Sequence, residues 1–81
     1  MPKSVYTGTY QRFLRMLVAA REEAGITQTA LATAIGWQQT DVSKAERGER
    51  RLDVAEFLLF ADALKFDPAD FVRQLAKPKK S

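Results

Sequence analysis

The chain contains no cysteine and no histidine. Without thiols there is no disulfide to brace the fold and no thiolate metal site. Without imidazole it lacks the usual general base, the commonest metal ligand and the side chain that titrates near neutral pH. Catalysis would have to rest on carboxylates, Lys, Tyr, Ser or Thr, and none of these gathers suggestively along the chain. The expectation is a protein that is not an enzyme and carries no metal, cofactor or small-molecule ligand. Long apolar runs are missing too. The stretch Phe57 to Ala61 falls far short of the roughly 20 residues that span a bilayer, and the N-terminus has no apolar core of a signal peptide. A soluble, cytoplasmic protein with no membrane partner is expected. No segment alternates with period two over strand length, so no sheet is predicted.

What remains is 81 residues, enough for one domain. A chain of this size buries only about 60% of the surface its unfolded form exposes, so its core has little margin. The net charge of +3 is unevenly placed. From Met1 to Arg51 there are eight basic residues (Lys3, Arg12, Arg15, Arg21, Lys44, Arg47, Arg50 and Arg51) against five acidic ones. From Leu52 onward five basic residues balance five acidic. The excess positive charge lies in the N-terminal two thirds, as an anionic partner would require.

Apolar spacing and end signals divide the chain into five short helices. Residues 1–8 show little periodicity and read as a flexible arm, with Thr9 as the first N-cap. Tyr10, Phe13, Leu14, Leu17, Val18 and Ala24 then recur at three- and four-residue steps up to Gly25. Thr27 caps a second helix, in which Leu31, Ala32 and Ile35 share a face and Gly36 is the stop. A third helix starts near Gln38, with a narrow stripe of Val42 and Ala45, and ends at Gly48. Glu46 to Arg51 reads as a loop. Asp53 with Glu56 is a capping box for a fourth helix whose core face is Val54, Phe57, Leu58, Ala61 and Leu64. Asp67, Pro68 and Asp70 open a fifth, burying Phe71, Val72 and Leu75. Residues 77–81 form a basic tail, leaving 9–76 as the folded domain. The fold class is all-α.

The spacing from Gln28 to Ala45 is the most informative. Ala32 is small where the following helix must approach closely. Gly36 permits a sharp backbone turn with positive φ. Val42 and Ala45 point inward and leave the opposite face of the third helix free. A short glycine-containing turn between two such helices is a helix-turn-helix.

With the stretches "REEAGITQTALATAIG", "VSKAERGERR" and "DVAEFLLFADALKFDPADF", the chain resembles the XRE-type helix-turn-helix domains, which include Cro and the lambdoid phage repressors. The resemblance covers about Leu14 to Phe71. It implies a compact five-helix lambda-repressor-like domain and a repressor-like regulator, bacterial or phage-encoded, bound to double-stranded operator DNA. In such domains the leading residues of the third helix face base edges in the major groove. That places Gln39, Thr40, Ser43 and Lys44 as base readers. A Gln amide matches adenine N6 and N7, Lys matches guanine O6 or N7, and the Thr methyl matches that of thymine. Gln28, at the start of the preceding helix, corresponds to the family's phosphate-clamping glutamine. Gln38, Arg47, Arg50, Arg51 and Arg21 are the further candidates for phosphate contact. Arg21 and Glu46 stand where phage-repressor-like domains form a salt bridge. Ala32, Gly36, Val42 and Glu46 are structural.

The chain departs from the family pattern at two points. Gln38 stands where many relatives carry a serine N-cap, and Asp41 sets a negative charge on the DNA-facing helix. Asp41 can accept from a cytosine amino group or turn aside toward Lys44 or Arg47. Trp37 reads as packing at the turn. A dimer on a two-fold operator is expected, through helices four and five with Leu59, Phe60, Phe71 and Val72. Leu59 and Phe60 alternatively pack beneath the first helix. Two further readings stay open: the antitoxin of a toxin–antitoxin pair, and a helical protein-interaction module that does not bind DNA.

Overall fold

In the computed structural model the backbone is described for residues 2–77 and the side chains for residues 8–77. Five helices follow one another with no strand among the described residues: α1 (Pro2–Glu23), α2 (Gln28–Ile35), α3 (Gln39–Glu46), α4 (Val54–Leu64) and α5 (Pro68–Ala76). None of them is long and apolar enough to cross a membrane.

The helix ends follow local chemistry. The Thr27 side chain accepts from the Ala30 N–H and so satisfies one of the four amide donors a helix start leaves open. Gly36 ends α2 at φ 78°, in the left-handed region, and the N–H of Trp37 returns to the carbonyl of Ala32. A Cβ at Gly36 would meet nothing within 4 Å, so the backbone angle, not crowding, asks for glycine there. Asp53 and Glu56 exchange hydrogen bonds as a capping box at α4. Asp67 accepts from the Ala69 N–H with Pro68 in the first turn of α5.

The start of α1 differs from the predicted one. The sequence predicts a loose segment through residue 8 with Thr9 as cap, whereas α1 runs from Pro2. Proline suits a first helical position because its missing N–H would lack a partner there anyway. A glycine inside a helix costs only about 1 kcal/mol relative to alanine, so Gly8 does not break it. Of the predicted basic tail, only Lys77 falls among the described residues.

The core is built from Leu17, Leu31, Ala32, Val42, Phe57, Phe60, Leu64 and Phe71, with Leu14, Ala45 and Ala61 also buried. Helix α4 keeps Phe57, Ala61 and Leu64 of the predicted face inward, but adds Phe60 to it and leaves Val54 and Leu58 out. Phe60 is fully buried, whereas Val54 is 74% exposed and Leu58 is also open. Almost every position of α4 is apolar, so the stripe alone does not choose a face; the ring of Phe60 does, by packing edge-on against Trp37 at 5.5 Å between centroids. On α5, Phe71 is buried against Phe13, Phe57 and Phe66 while Val72 is half exposed. Phe60 and Phe71 thus belong to the core and not to a surface for a second copy. Arg12 ties α1 to α5, donating to the carbonyls of Leu75 and Lys77 at the helix end.

Candidate nucleic-acid interface

The turn between α2 and α3 is set by Gly36, and α3 then lies across the surface with Val42 and Ala45 fully buried. At 3.6 residues per turn, burial of these two fixes the outward arc. Thr40 and Lys44 are exposed on it, Ser43 is half-buried, and Gln39 is exposed at its leading edge. The four predicted base readers therefore share the open side of one helix.

Gln38 is the N-cap of α3, and its backbone N–H donates to Asp41 Oδ2 at 3.1 Å. Asp41 thus holds the helix start from its third position. Its other oxygen faces Arg50 Nη1 at 3.7 Å. The sequence offers Lys44 or Arg47 as its partner; the observed one comes from the loop beyond α3.

Behind this edge lies a chain of polar contacts. Arg21 on α1 meets Glu46 at the end of α3 with two bonds, Nε to Oε2 at 2.6 Å and Nη2 to Oε1 at 3.1 Å. Its Nη1 donates to the carbonyl of Ile26 at 2.9 Å. Glu46 Oε1 also accepts from Gln28 Nε2 at 2.9 Å, and Gln28 Oε1 accepts from Gln39 Nε2 at 2.7 Å. Only 13% of the Arg21 side chain and 6% of that of Glu46 is open to solvent. A buried charge needs such partners, because an uncompensated one is expensive. The pair locks the end of α1 to the end of α3, and the two glutamines carry that lock to the start of α2 and α3.

The arginines of the following loop divide by role. Arg50 donates to Glu56 Oε2 at 2.9 Å and stacks over the Trp37 ring at 4.0 Å, joining the turn, α3 and the cap of α4. Arg51 lies over the Tyr10 ring at 4.6 Å, and the Tyr10 hydroxyl accepts from the Leu52 N–H. Arg47 is exposed, donating to Ser43 Oγ and to both oxygens of Glu49. The Arg47 guanidinium beside it holds the Glu49 carboxyl below the usual carboxylate range. The spacing of the chain gave no sign of the Gln28–Gln39 bond, the Arg50–Asp41 pair or the two arginine–ring stacks, since all join elements that meet only in the fold.

Fold and site together define a helix-turn-helix protein, and the comparisons agree. The profile of the helix-turn-helix domain matches residues 12–74, so the chain belongs to that family, in its XRE type. Among solved structures it is similar to an "XRE-family like protein" from Pseudomonas syringae pv. tomato str. DC3000, with 43% identity over 91% of this chain and 90% of that one and a TM-score of 0.88. No curated protein matches. The class is a DNA-binding regulator.

Proposed function

We propose that the protein is a repressor-like regulator of the bacterial or phage cytoplasm that reads operator DNA with the leading end of α3 in the major groove. The observation that carries this is the side-by-side arrangement of two helix starts. The Gln28–Gln39 bond brings the first residues of α2 and α3 together, beside the exposed Thr40 and Lys44. Backbone amides and the dipoles at two helix N-termini favour phosphate, and the adjacent polar arc offers donors and acceptors for base edges.

In this reading Gln39, Thr40, Ser43 and Lys44 face bases. Gln28, Gln38, Arg47 and Arg51 anchor phosphates. Arg21 and Arg50, held by Glu46 and Glu56 in less exposed settings than Arg47 beside Glu49, serve by fixing the frame. Gln39→Ala should weaken binding to the selected operator by about 1–3 kcal/mol while leaving non-specific duplex binding nearly unchanged. Equal losses on both would show that Gln39 reads no base. Affinity should also fall steeply with salt, in proportion to the phosphates neutralised; an affinity indifferent to salt would point to the protein-interaction module instead.

A single domain of this kind covers too few base pairs for a genomic site, so we place a second copy on the apolar side of α4 and α5. Leu59 and Val72 remain as exposed members of the predicted surface, joined by Val54 and Leu58. Val54 and Val72 flank a mostly apolar groove of about 370 Å³ between α1, α4 and α5. Val72→Glu should shift the sedimentation of the protein on its operator from two copies toward one; an unchanged stoichiometry would remove this face.

A further inference from the structure

Resting on that reading of Gln39, we infer that Glu46 selects adenine over guanine at the base Gln39 faces, acting through Gln28 as a relay of amide orientation. A glutamine amide has an acceptor end and a donor end of nearly the same shape, so an unconstrained one turns over readily and offers either to a neighbour. Here neither glutamine is unconstrained. A carboxylate only accepts, so the end of Gln28 that faces Glu46 Oε1 at 2.9 Å must be its NH2. Its carbonyl then faces away from Glu46, toward Gln39, and accepts from Gln39 Nε2 at 2.7 Å. Gln39 is thereby left with one N–H and its carbonyl oxygen for the groove.

One donor and one acceptor match the major-groove edge of adenine, which presents N7 as acceptor and the N6 amino group as donor. Guanine presents two acceptors, N7 and O6, and asks for two donors. Gln39 could supply them only by turning its amide over. That would set its oxygen against the Gln28 oxygen. Gln28 could relieve the clash only by turning its own oxygen onto the Glu46 carboxylate. Arg21 holds that carboxylate in place through both of its oxygens, in a site nearly closed to solvent. The turned state is opposed at every link, and the two-donor pairing with guanine with it. Glu46 and Gln28 are positioning residues: Gln39 alone touches the base.

The test is selection of bound sequences from random duplex DNA by the wild-type chain, Gln39→Ala, Gln28→Met and Glu46→Gln. The base position Gln39 reads is the one that loses its preference in Gln39→Ala. There the wild type should favour adenine over guanine by tenfold or more, the discrimination of a good bidentate pair being roughly tenfold to a hundredfold. Gln28→Met keeps the Arg21–Glu46 pair, and Glu46→Gln replaces the acceptor-only group by one that can turn. In both, the adenine-to-guanine ratio at that position should fall toward one, while preferences elsewhere in the site persist. Overall affinity can drop in Gln28→Met through the lost phosphate contact, but such a loss leaves base ratios untouched. Should Glu46→Gln fail to fold, as its melting curve would show, Gln28→Met carries the test alone. An unchanged ratio in Gln28→Met, with Gln39→Ala erasing that position, would overturn the relay and spare base reading by Gln39. A Gln39→Ala profile identical to wild type would overturn both.

Discussion

Two arginine–glutamate pairs flank the end of α3, alike in chemistry and opposite in setting. Arg21–Glu46 leaves 13% and 6% of its side chains open; Arg47–Glu49 leaves 54% and 56%. The first joins residues 25 apart in sequence and hands its geometry on to Gln28 and Gln39. The second joins residues two apart on the surface, where water and salt screen it. An ion pair at this end of the helix is thus a structural element only where burial and further hydrogen bonds make its orientation unique.

Removing Glu46 should break this contrast most severely. Glu46→Ala strands the Arg21 charge and deprives Gln28 of its acceptor, and should lower the unfolding free energy by about 3 kcal/mol in a denaturant titration. A change within the error of that titration would mean the pair contributes nothing to the fold. The exposed pair should respond far less. Glu49→Gln should lower the melting temperature at pH 7 only slightly. The sign follows from the lowered carboxyl pKa of Glu49 in the folded state. Its contribution is present at neutral pH and is lost as the pH falls from the ordinary carboxylate range through the lowered folded value. The small difference between Glu49→Gln and wild type should therefore disappear once the pH has fallen below the lowered carboxyl pKa of Glu49. A difference that grew on acidification would give the pair the wrong sign.

The contrast also shows what a single sequence can disclose. Thr27, Gly36, Asp53 with Glu56, and Asp67 with Pro68 act within a turn of their own position, so the boundaries they set around α2, α4 and α5 were legible. So was the inward pointing of Val42 and Ala45, which sit on an otherwise polar helix. The face of α4 was legible only in part: Phe57, Ala61 and Leu64 turn inward as read, but Val54, Leu58, Leu59 and Phe60 are all apolar and only the meeting with Trp37 and Phe57 selects among them. The start of α1 was missed for a related reason: apolar periodicity marks packing, and a helix can extend beyond its packed stripe. The end of α4 carries no glycine, since Lys65 itself takes the left-handed conformation at φ 64°.

At the site, the resemblance supplied the Arg21–Glu46 pairing, and the fold shows it. The link from Gln28 to Gln39 spans 11 residues and depends on how α2 and α3 meet, so no local pattern announces it. Asp41 illustrates the same limit. Its spacing from Gln38 fits a cap, but the Arg50 partner becomes visible only once the loop folds back toward Trp37.

The central proposal is that the leading end of α3, braced from behind by Glu46, enters the groove of a duplex. Backbone amide shifts followed by NMR during titration with the selected operator test it directly. The largest changes should fall at Gln28 and from Gln38 to Arg47, with Phe60 and the rest of the α4 core little moved. Changes confined to α4 and α5, with the α3 amides still at their free positions, would contradict it.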